Sequence, residues 1–417
     1  MSSSPGSVLA GVRVLDLTQV WAGPLTARYL ADLGADVIKI ESCRRLDLIR
    51  PLLVPSGDNG PRWFDHGGYY QTFNRNHRSL ALDLNSEAGR QVFRRLVRGA
   101  DVLVENFSPR VMANWGLGYE ALRALNPRLI MVSLSGFGAS GPYRDYVAYG
   151  NSIDPMTGLI YLTGYQGGPP VRSALSYPDP IAATHAAFAC LCALMEREAS
   201  GLGQHIDASM LEAAAFNVGE VLAEFDATGF CPQRMGNHHP LHAPHSLYPC
   251  AGEDEWVAVA VTDEEEWQGL CAVLGRPDLA ADPQLQSAAG RKAREEELDA
   301  LIAAWTSQHS KWEVMEALQG ADVPAGAVLT NRELVENEHL RQRGFFVELT
   351  YDDGRTFLHP GFPFRLSRTP LTVRCRAPGL GEHNRQILRE IGYAEEEIDA
   401  LIAEGVIGDA PALPTQA

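Results

Sequence analysis

Residues 11–41 read GVRVLDLTQVWAGPLTARYLADLGADVIKIE, two short apolar runs on either side of an amphipathic stretch. Residues 12–17 and 36–40 are typical of strands, and residues 24–33 are typical of a helix that stops at Gly34. The alternation continues with a helix at 86–98, a strand at 101–104, a helix at 119–125 and a strand at 128–134. This order predicts an α/β fold with a Rossmann-like parallel sheet and helices on both of its faces.

Composition narrows the possible functions of this 417-residue chain. Its 45% hydrophobic and 21% charged residues are ordinary for a globular protein. The net charge of −17 argues against nucleic acid or an anionic membrane as a partner. Seven scattered cysteines without a C-x-x-C pair indicate a reducing compartment and no zinc site. No stretch reaches the length of a membrane span, so we expect a soluble, cytoplasmic protein.

Asp179 is the most informative single residue. It lies in Ser-Tyr-Pro-Asp-Pro at 176–180, and apolar-rich residues follow to position 197. An aspartate directly before Pro180 predicts a helix start with Asp179 as its N-cap. Backbone N–H groups point outward at such a start, so the carboxylate is either a cap or a reacting group. The local sequence leaves both open.

The ends of the predicted strands indicate where a ligand binds, because ligands of parallel sheets lie beyond the carboxyl ends of the strands. Those ends carry residues 19–21, Glu41, Asn106 with Phe107, and residues 135–138. The first strand–helix junction lacks the G-x-G-x-x-G pattern of dinucleotide-binding folds, so NAD is not expected although Glu41 would match the ribose-binding acid.

Several motifs occur together and in order: residues 11–41, NRNHRSLALDL at 74–84, DVLVENFSPRVMANWGLGYE at 101–120, NPRLIMVSLSGFG at 126–138, GLGQHIDASM at 201–210, LGEHN at 380–384 and GVI at 405–407. Together with the Asp-Pro at 179–180, this pattern resembles the class III CoA-transferases, the CaiB/BaiF or formyl-CoA transferase-like family. The resemblance covers residues 11–407.

The resemblance implies that Asp179 is the nucleophile of a CoA-transferase. Its carboxylate would form an acyl anhydride and then a CoA thioester as CoA moves from an acyl-CoA to a free carboxylic acid. Coenzyme A is then a substrate, and no permanently bound cofactor and no metal are expected. The helix start would help to keep Asp179 charged.

The resemblance also assigns contacts to coenzyme A. These residues are Val20, Trp21, Ala22, Arg44, Asn74, Arg78, Asn106, Phe107, Arg110 and Tyr149, the last lining the active site. The chain departs from the family at Ser42 and Asn114, where many members have arginine, and at His77, a usual lysine position. Trp21 replaces a glutamine near the reacting centre.

The expected layout is a large CoA-binding domain built from both chain ends (1–225 and 332–417) with a smaller α/β domain inserted at 226–331, ending in a disordered tail at 411–417. Family members form interlocked homodimers, which this layout would allow. The histidine-rich segment 236–245 lacks metal-ligand spacing. It is either a flap with polar contacts to an acyl group or an ordinary interdomain loop.

Two alternatives stay open. The 2-methylacyl-CoA racemases share the fold but need a histidine followed by an aspartate near Tyr149, where the chain reads Ala-Tyr-Gly-Asn-Ser at 148–152. A CoA-binding protein without catalysis, in which Asp179 is only a cap, is the other.

Overall fold

The computed structural model of the protein describes residues 6–55 and 60–412. The predicted disordered tail lies outside these residues, except for its first two positions. Two compact units make up the chain: a larger one from residues 1–159, 174–229 and 342–417, and a smaller one from 160–173 and 230–341.

The larger unit is built on a six-stranded parallel sheet in the order β3-β2-β1-β4-β5-β6. Its strands are β1 Arg13–Asp16, β2 Asp36–Glu41, β3 His77–Ala81, β4 Val102–Glu105, β5 Ile130–Ser135 and β6 His205–Ser209. In the smaller unit an antiparallel sheet joins β7 His245–Pro249, β8 Trp256–Ala260 and β9 Ala325–Ala327. An antiparallel pair, β10 Phe346–Thr350 and β11 Thr356–Pro360, follows. The predicted α/β class with a parallel sheet is confirmed.

The described residues form the following helices: α1 Ala22–Asp32, α2 Gly68–Phe73, α3 Glu87–Val97, α4 Arg110–Asn114, α5 Tyr119–Leu125, α6 Gly150–Ile153, α7 Leu159–Leu162, α8 Pro178–Ser200, α9 Met210–Ala215, α10 Gly219–Thr228, α11 Glu264–Val273, α12 Pro277–Ala280, α13 Ala288–Ala293, α14 Glu295–Thr306, α15 Lys311–Gln319, α16 Asn331–Glu336, α17 Glu338–Gln342, α18 Asn384–Glu390 and α19 Glu395–Ala403.

Both faces of the parallel sheet are buried, as the alternation of side chains in β1 shows. Val14 belongs to a core with α1 and α8, whereas its neighbour Leu15 belongs to a core with α3, α5 and α18. Successive strand residues point to opposite faces, so near-continuous apolar runs are what a sheet covered on both sides requires.

Two strands of the parallel sheet, β3 and β6, were not predicted, and both lie at its edges. In β3, His77 and Arg78 are buried, and Arg78 is paired with Asp36 and Glu390. In β6 only Ser209 is buried. Polar edge strands lack the apolar pattern by which strands are recognised. Their buried polar side chains are paired instead with residues that are distant in sequence. Between α9 and α10 a 3₁₀ turn precedes Gly219.

Among the described residues, α8 alone has the length and composition of a membrane-crossing helix, although the sequence expectation was that no segment would qualify. Half of its most apolar stretch is buried, and the helix packs on α1 and β5. This placement is typical of a core helix.

Candidate active site

Asp179 lies in the first turn of α8 and not in front of it. The helix begins at Pro178, with Tyr177 as its cap residue. The prediction that Asp179 is the N-cap was therefore wrong, because Pro178 rather than Pro180 supplies the first helical φ angle. The carboxylate thus sits at the second helical position, and the residue is only 8% exposed.

A second Pro-Asp helix start in the chain shows what burial adds to this position. Asp278 follows Pro277 as the second residue of α12, but it is exposed and paired twice with Arg276, at 2.6 and 2.8 Å. Those hydrogen bonds lower the pKa of Asp278 to about 2. Desolvation instead raises the pKa of Asp179 above its ordinary value. Since the helical position is the same, the environment makes the difference.

Three groups counteract the desolvation of Asp179. The hydroxyl of Ser176 and the backbone N–H groups of Ala22 and of Asp179 itself lie near its carboxyl group and lower its pKa. The Ser176 oxygen has no hydrogen-bond partner within the described residues. Asp154, which is fully buried, raises the pKa further through charge repulsion. A carboxylate that is shielded from water yet has polar donors close by is suited to nucleophilic attack.

Gly150 allows the chain to pass close to Asp179. A Cβ at this position would collide with Oδ2 of Asp179 and with the hydroxyl of Ser176. Gly150 is the first residue of α6 and follows Tyr149 directly. The predicted active-site tyrosine is therefore adjacent in sequence to a residue that touches Asp179, and its side chain is 52% exposed.

The loop between β1 and α1 brings the predicted residues Val20, Trp21 and Ala22 to the same place. Ala22 begins α1 and faces Asp179. Trp21 stacks on Phe73 with ring centroids 5.6 Å apart, and meets Tyr69 edge-on at 6.1 Å. These three rings form an aromatic cluster next to the loop between β1 and α1.

Asn106 and Phe107 follow β4 at the same edge of the sheet. The Asn106 amide accepts from the backbone N–H of Gln19 at 2.8 Å and donates to its carbonyl at 2.7 Å. Phe107 meets Trp115 edge-on at 5.5 Å. Arg110 is exposed at the start of α4 and forms no ion pair with any residue in the described ranges.

The other predicted contacts to coenzyme A have partners within the protein. Arg78 is paired with Asp36 at 2.6 Å and Glu390 at 2.7 Å. It lies in the amino-terminal half of β3, away from the carboxyl edge that carries Asn106. The structure therefore does not bring it together with the other site residues.

Arg44 and Asn74 differ in exposure. The side chain of Arg44 is 67% exposed and lies 3.3 Å from Asp83. Asn74 is buried at the end of α2 and donates to the carbonyl of Tyr70 at 3.1 Å. Arg44 is accessible to a phosphate, whereas Asn74 mainly closes its own helix.

Sequence reasoning missed Ser176, Asp154 and Gly150 as neighbours of Asp179. Ser176 was detectable, because it stands only three residues before Asp179 and directly before the cap residue of α8. The other two were not, since only the folded chain places α6 and the 3₁₀ turn that follows it against the start of α8.

The histidine-rich segment belongs to the smaller unit. The ring of His239 lies 4.7 Å from that of His242 and 5.3 Å from that of His245. His238 pairs with Glu295 at 3.2 Å. Throughout residues 6–55 and 60–412, no three histidine, cysteine or acidic side chains form a group able to hold a metal ion.

Comparison with known proteins shows which family the chain belongs to. The sequence profile of CoA-transferase family III matches residues 9–384. The chain is 35% identical to the succinyl-CoA–D-citramalate CoA-transferase of Chloroflexus aurantiacus, over 97% of this chain and 100% of that one. It is also 35% identical to the succinate–glutarate CoA-transferase of Agrobacterium fabrum, over 93% of this chain and 96% of that one.

A solved structure shows the same fold. The CaiB/BaiF family protein from Brucella suis superimposes with a TM-score of 0.82 at 31% identity, and the match covers 94% of this chain and 100% of that one. The resemblance inferred from the motifs is thereby confirmed, and with it an enzyme of the CoA-transferase class. The chain belongs to CoA-transferase family III.

Proposed function

We propose that this protein moves CoA from an acyl-CoA thioester to a free carboxylic acid, with Asp179 as the covalent nucleophile. One observation carries the proposal: the Asp179 carboxylate is buried at a helix start and faced by the Ser176 hydroxyl and the Ala22 N–H. Its exposed counterpart Asp278 shares the Pro-Asp dipeptide at a helix start but not this environment.

The reaction balances without any net proton transfer. A carboxylate oxygen of Asp179 attacks the thioester carbonyl, the C–S bond breaks, and CoA thiolate leaves behind a mixed anhydride. The thiolate then attacks the Asp179 carbonyl and releases the donor acid, giving an aspartyl-CoA thioester. The acceptor carboxylate attacks that thioester, the C–S bond breaks, and CoA thiolate leaves a second mixed anhydride between Asp179 and the acceptor. The thiolate then attacks the acceptor carbonyl, and Asp179 leaves as the free carboxylate.

Each tetrahedral intermediate carries negative charge on the former carbonyl oxygen. The Ala22 N–H and the Ser176 hydroxyl are the donors that face the carboxyl group where this charge develops at Asp179. Fixed donors at such a position stabilise the transition state more than the ground state.

Relatives suggest the acids that are exchanged. The enzymes from Chloroflexus aurantiacus and Agrobacterium fabrum are named for succinyl-CoA or succinate, and a relative from Haloarcula marismortui, 36% identical, is named a succinyl-CoA:mesaconate CoA-transferase. We therefore place succinyl-CoA first among donors and dicarboxylic acids first among acceptors. Coenzyme A acts as a substrate, in the cytoplasm.

The decisive experiment traps the covalent intermediate. Wild-type protein incubated with succinyl-CoA and hydroxylamine should be inactivated as the activated Asp179 carbonyl becomes a hydroxamate, located by peptide mass spectrometry. Protein treated with hydroxylamine alone is the control. Modification at another residue, or none while transfer proceeds, would refute the role of Asp179.

The same preparation tests the alternatives. Incorporation of deuterium at the α-carbon of a 2-methylacyl-CoA in D₂O, without an acceptor acid, would identify a racemase. Binding of acyl-CoA without transfer to any of a panel of acids would identify a CoA-binding protein.

We further propose that the chain acts as an interlocked homodimer. Phe188 and Met195 on α8 are 67% and 76% exposed in the single chain, and Phe216 is 75% exposed. Large apolar side chains in the open indicate a contact surface. Light scattering should report twice the chain mass, and Phe188→Glu should weaken the dimer. Leu202 is also apolar but lies outside α8, so Leu202→Glu should leave the dimer intact.

A further inference from the structure

The loop that precedes Ala22 is held in a strained conformation. Val20 has a φ angle of 71°. This left-handed region is unfavourable for a β-branched residue, because its side chain crowds the backbone. Strain of this kind persists only where the surrounding structure enforces it, and it is frequent at functional sites.

Three side chains from different parts of the chain hold three consecutive residues of this loop. Lys39 in β2 donates to the carbonyl of Thr18 at 2.7 Å. The Asn106 amide pairs with both backbone groups of Gln19. Asp47 accepts from the N–H of Val20 at 2.9 Å.

Lys39 and Asp47 are also bound to each other. Their charged groups lie 3.0 Å apart, and both side chains are fully buried. A buried ion pair of this kind fixes geometry more than it stabilises the fold, since desolvation of both charges offsets their attraction. The pair therefore acts as a rigid support for Thr18 and Val20.

The supported loop ends where the chemistry is expected. Trp21 is the N-cap residue of α1, and the N–H of the next residue, Ala22, lies near the Asp179 carboxyl group and lowers its pKa. A different φ angle at Val20 would turn this N–H away, because only Trp21 separates the two residues.

We propose that Lys39, Asp47 and Asn106 are positioning residues that hold the Thr18–Val20 loop in its left-handed turn and so aim the Ala22 N–H at Asp179. None of the three touches the carboxylate, and each acts through the backbone it binds. The inference rests on the proposed function only for the identity of the group that Ala22 faces.

The test is a double-mutant cycle between Asp47 and Val20. Asp47→Ala removes the acceptor that enforces the turn, whereas Val20→Gly removes the need for enforcement, since glycine adopts positive φ freely. Asp47→Ala should lower kcat about tenfold or more and move the acidic limb of the kcat/KM profile to higher pH. In the Val20→Gly background that loss should be at least about threefold smaller.

A matched control removes another buried ion pair. Asp32 pairs with Arg75 at 2.9 Å and Arg28 at 3.1 Å. Asp32→Ala should lower Tm without moving the acidic limb. If Asp47→Ala does not fold, Asn106→Ala replaces it, because this variant removes support for Gln19 but no buried charge.

An equal loss in both backgrounds, or an acidic limb that does not move, would overturn the inference. Its failure is distinguishable from failure of the proposed function. If Asp179 is not the nucleophile, hydroxylamine labelling fails while the coupling of Val20 and Asp47 persists in Tm. If the loop is not held as inferred, labelling persists and the coupling vanishes.

Discussion

Asp179→Asn should separate the chemical role of this residue from its structural role. Asparagine keeps the shape of the side chain and an oxygen near the Ser176 hydroxyl and the Ala22 N–H, but it carries no charge. Burial raises the pKa of Asp179, so the folded wild-type protein binds its proton more tightly than the unfolded chain does. The stability that accompanies this proton is present at acid pH and is lost as pH rises through the folded-state pKa.

The variant has no such dependence, so its advantage over wild type should grow with rising pH and then level off. At neutral pH we expect stability on the order of 1 kcal/mol above wild type, because an uncharged amide replaces a poorly solvated carboxylate. For a chain of this size, that corresponds to a Tm higher by about 1–3 °C.

Activity should change in the opposite direction. The neutral amide is a poor nucleophile and cannot form the anhydride, so transfer from succinyl-CoA should fall by about 10³-fold or more. Binding of CoA, measured by calorimetry, should stay within about threefold, since no predicted contact to CoA is removed. Asp278→Asn is the matched control, and should leave both transfer and binding as in wild type.

Two results would refute this reasoning. Transfer by Asp179→Asn within tenfold of wild type would remove Asp179 from the chemistry, provided that mass spectrometry shows no deamidation back to aspartate. A Tm several degrees below wild type would show instead that the charged carboxylate stabilises the fold.

Three further predictions follow from the same structure. Glu105 is buried and its pKa is raised to about 7 by desolvation, so its protonation stabilises the fold at acid pH and this contribution is lost as pH rises from about 4.5 to 7. Glu105→Gln should therefore weaken the dependence of Tm on pH between pH 5 and 8, and an unchanged slope would contradict the burial argument. Gly150→Ala should lower kcat at least tenfold, because its Cβ meets Asp179 and Ser176; a kcat within twofold of wild type, with Tm unchanged, would contradict the close approach. Arg78→Met should lower Tm with little effect on the KM for acyl-CoA, whereas Arg110→Met should raise that KM several-fold at constant Tm. The reason is that, of these two arginines, Arg78 is the one with carboxylate partners in the described structure; the reverse pattern would assign phosphate binding to Arg78.

The central part of the fold was predictable because its signals are local. The strands near residues 13, 36, 102 and 130 are apolar runs, and α5 has the predicted bounds, Tyr119–Leu125. In each case the pattern of apolar and polar side chains in neighbouring residues indicates which of them are buried. The polar strands β3 and β6 were not predictable in this way, since their partners are distant in sequence.

The same distinction between local and distant signals applies to the candidate active site. Motifs located Asp179, the 20–22 loop and Asn106, because each is a short contiguous pattern. The order of the helix start was misjudged, since both Pro178 and Pro180 suit a first helical position. The raised pKa of Asp179 has no sequence signal, because it depends on how α1 and α6 pack around the start of α8.

The edge of the parallel sheet has a consequence for biosynthesis. Residues from much later in the sequence hold the end of β3 and the turn after it: Asn384 accepts from the N–H of Ala81 at 2.8 Å, and the carbonyl of Val406 accepts from the N–H of Asp83 at the same distance. Strand β3 is thus completed only after a segment 303 residues further along the chain has been synthesised. In the interlocked homodimer that we propose, this delay would leave each chain open while its partner passes through it.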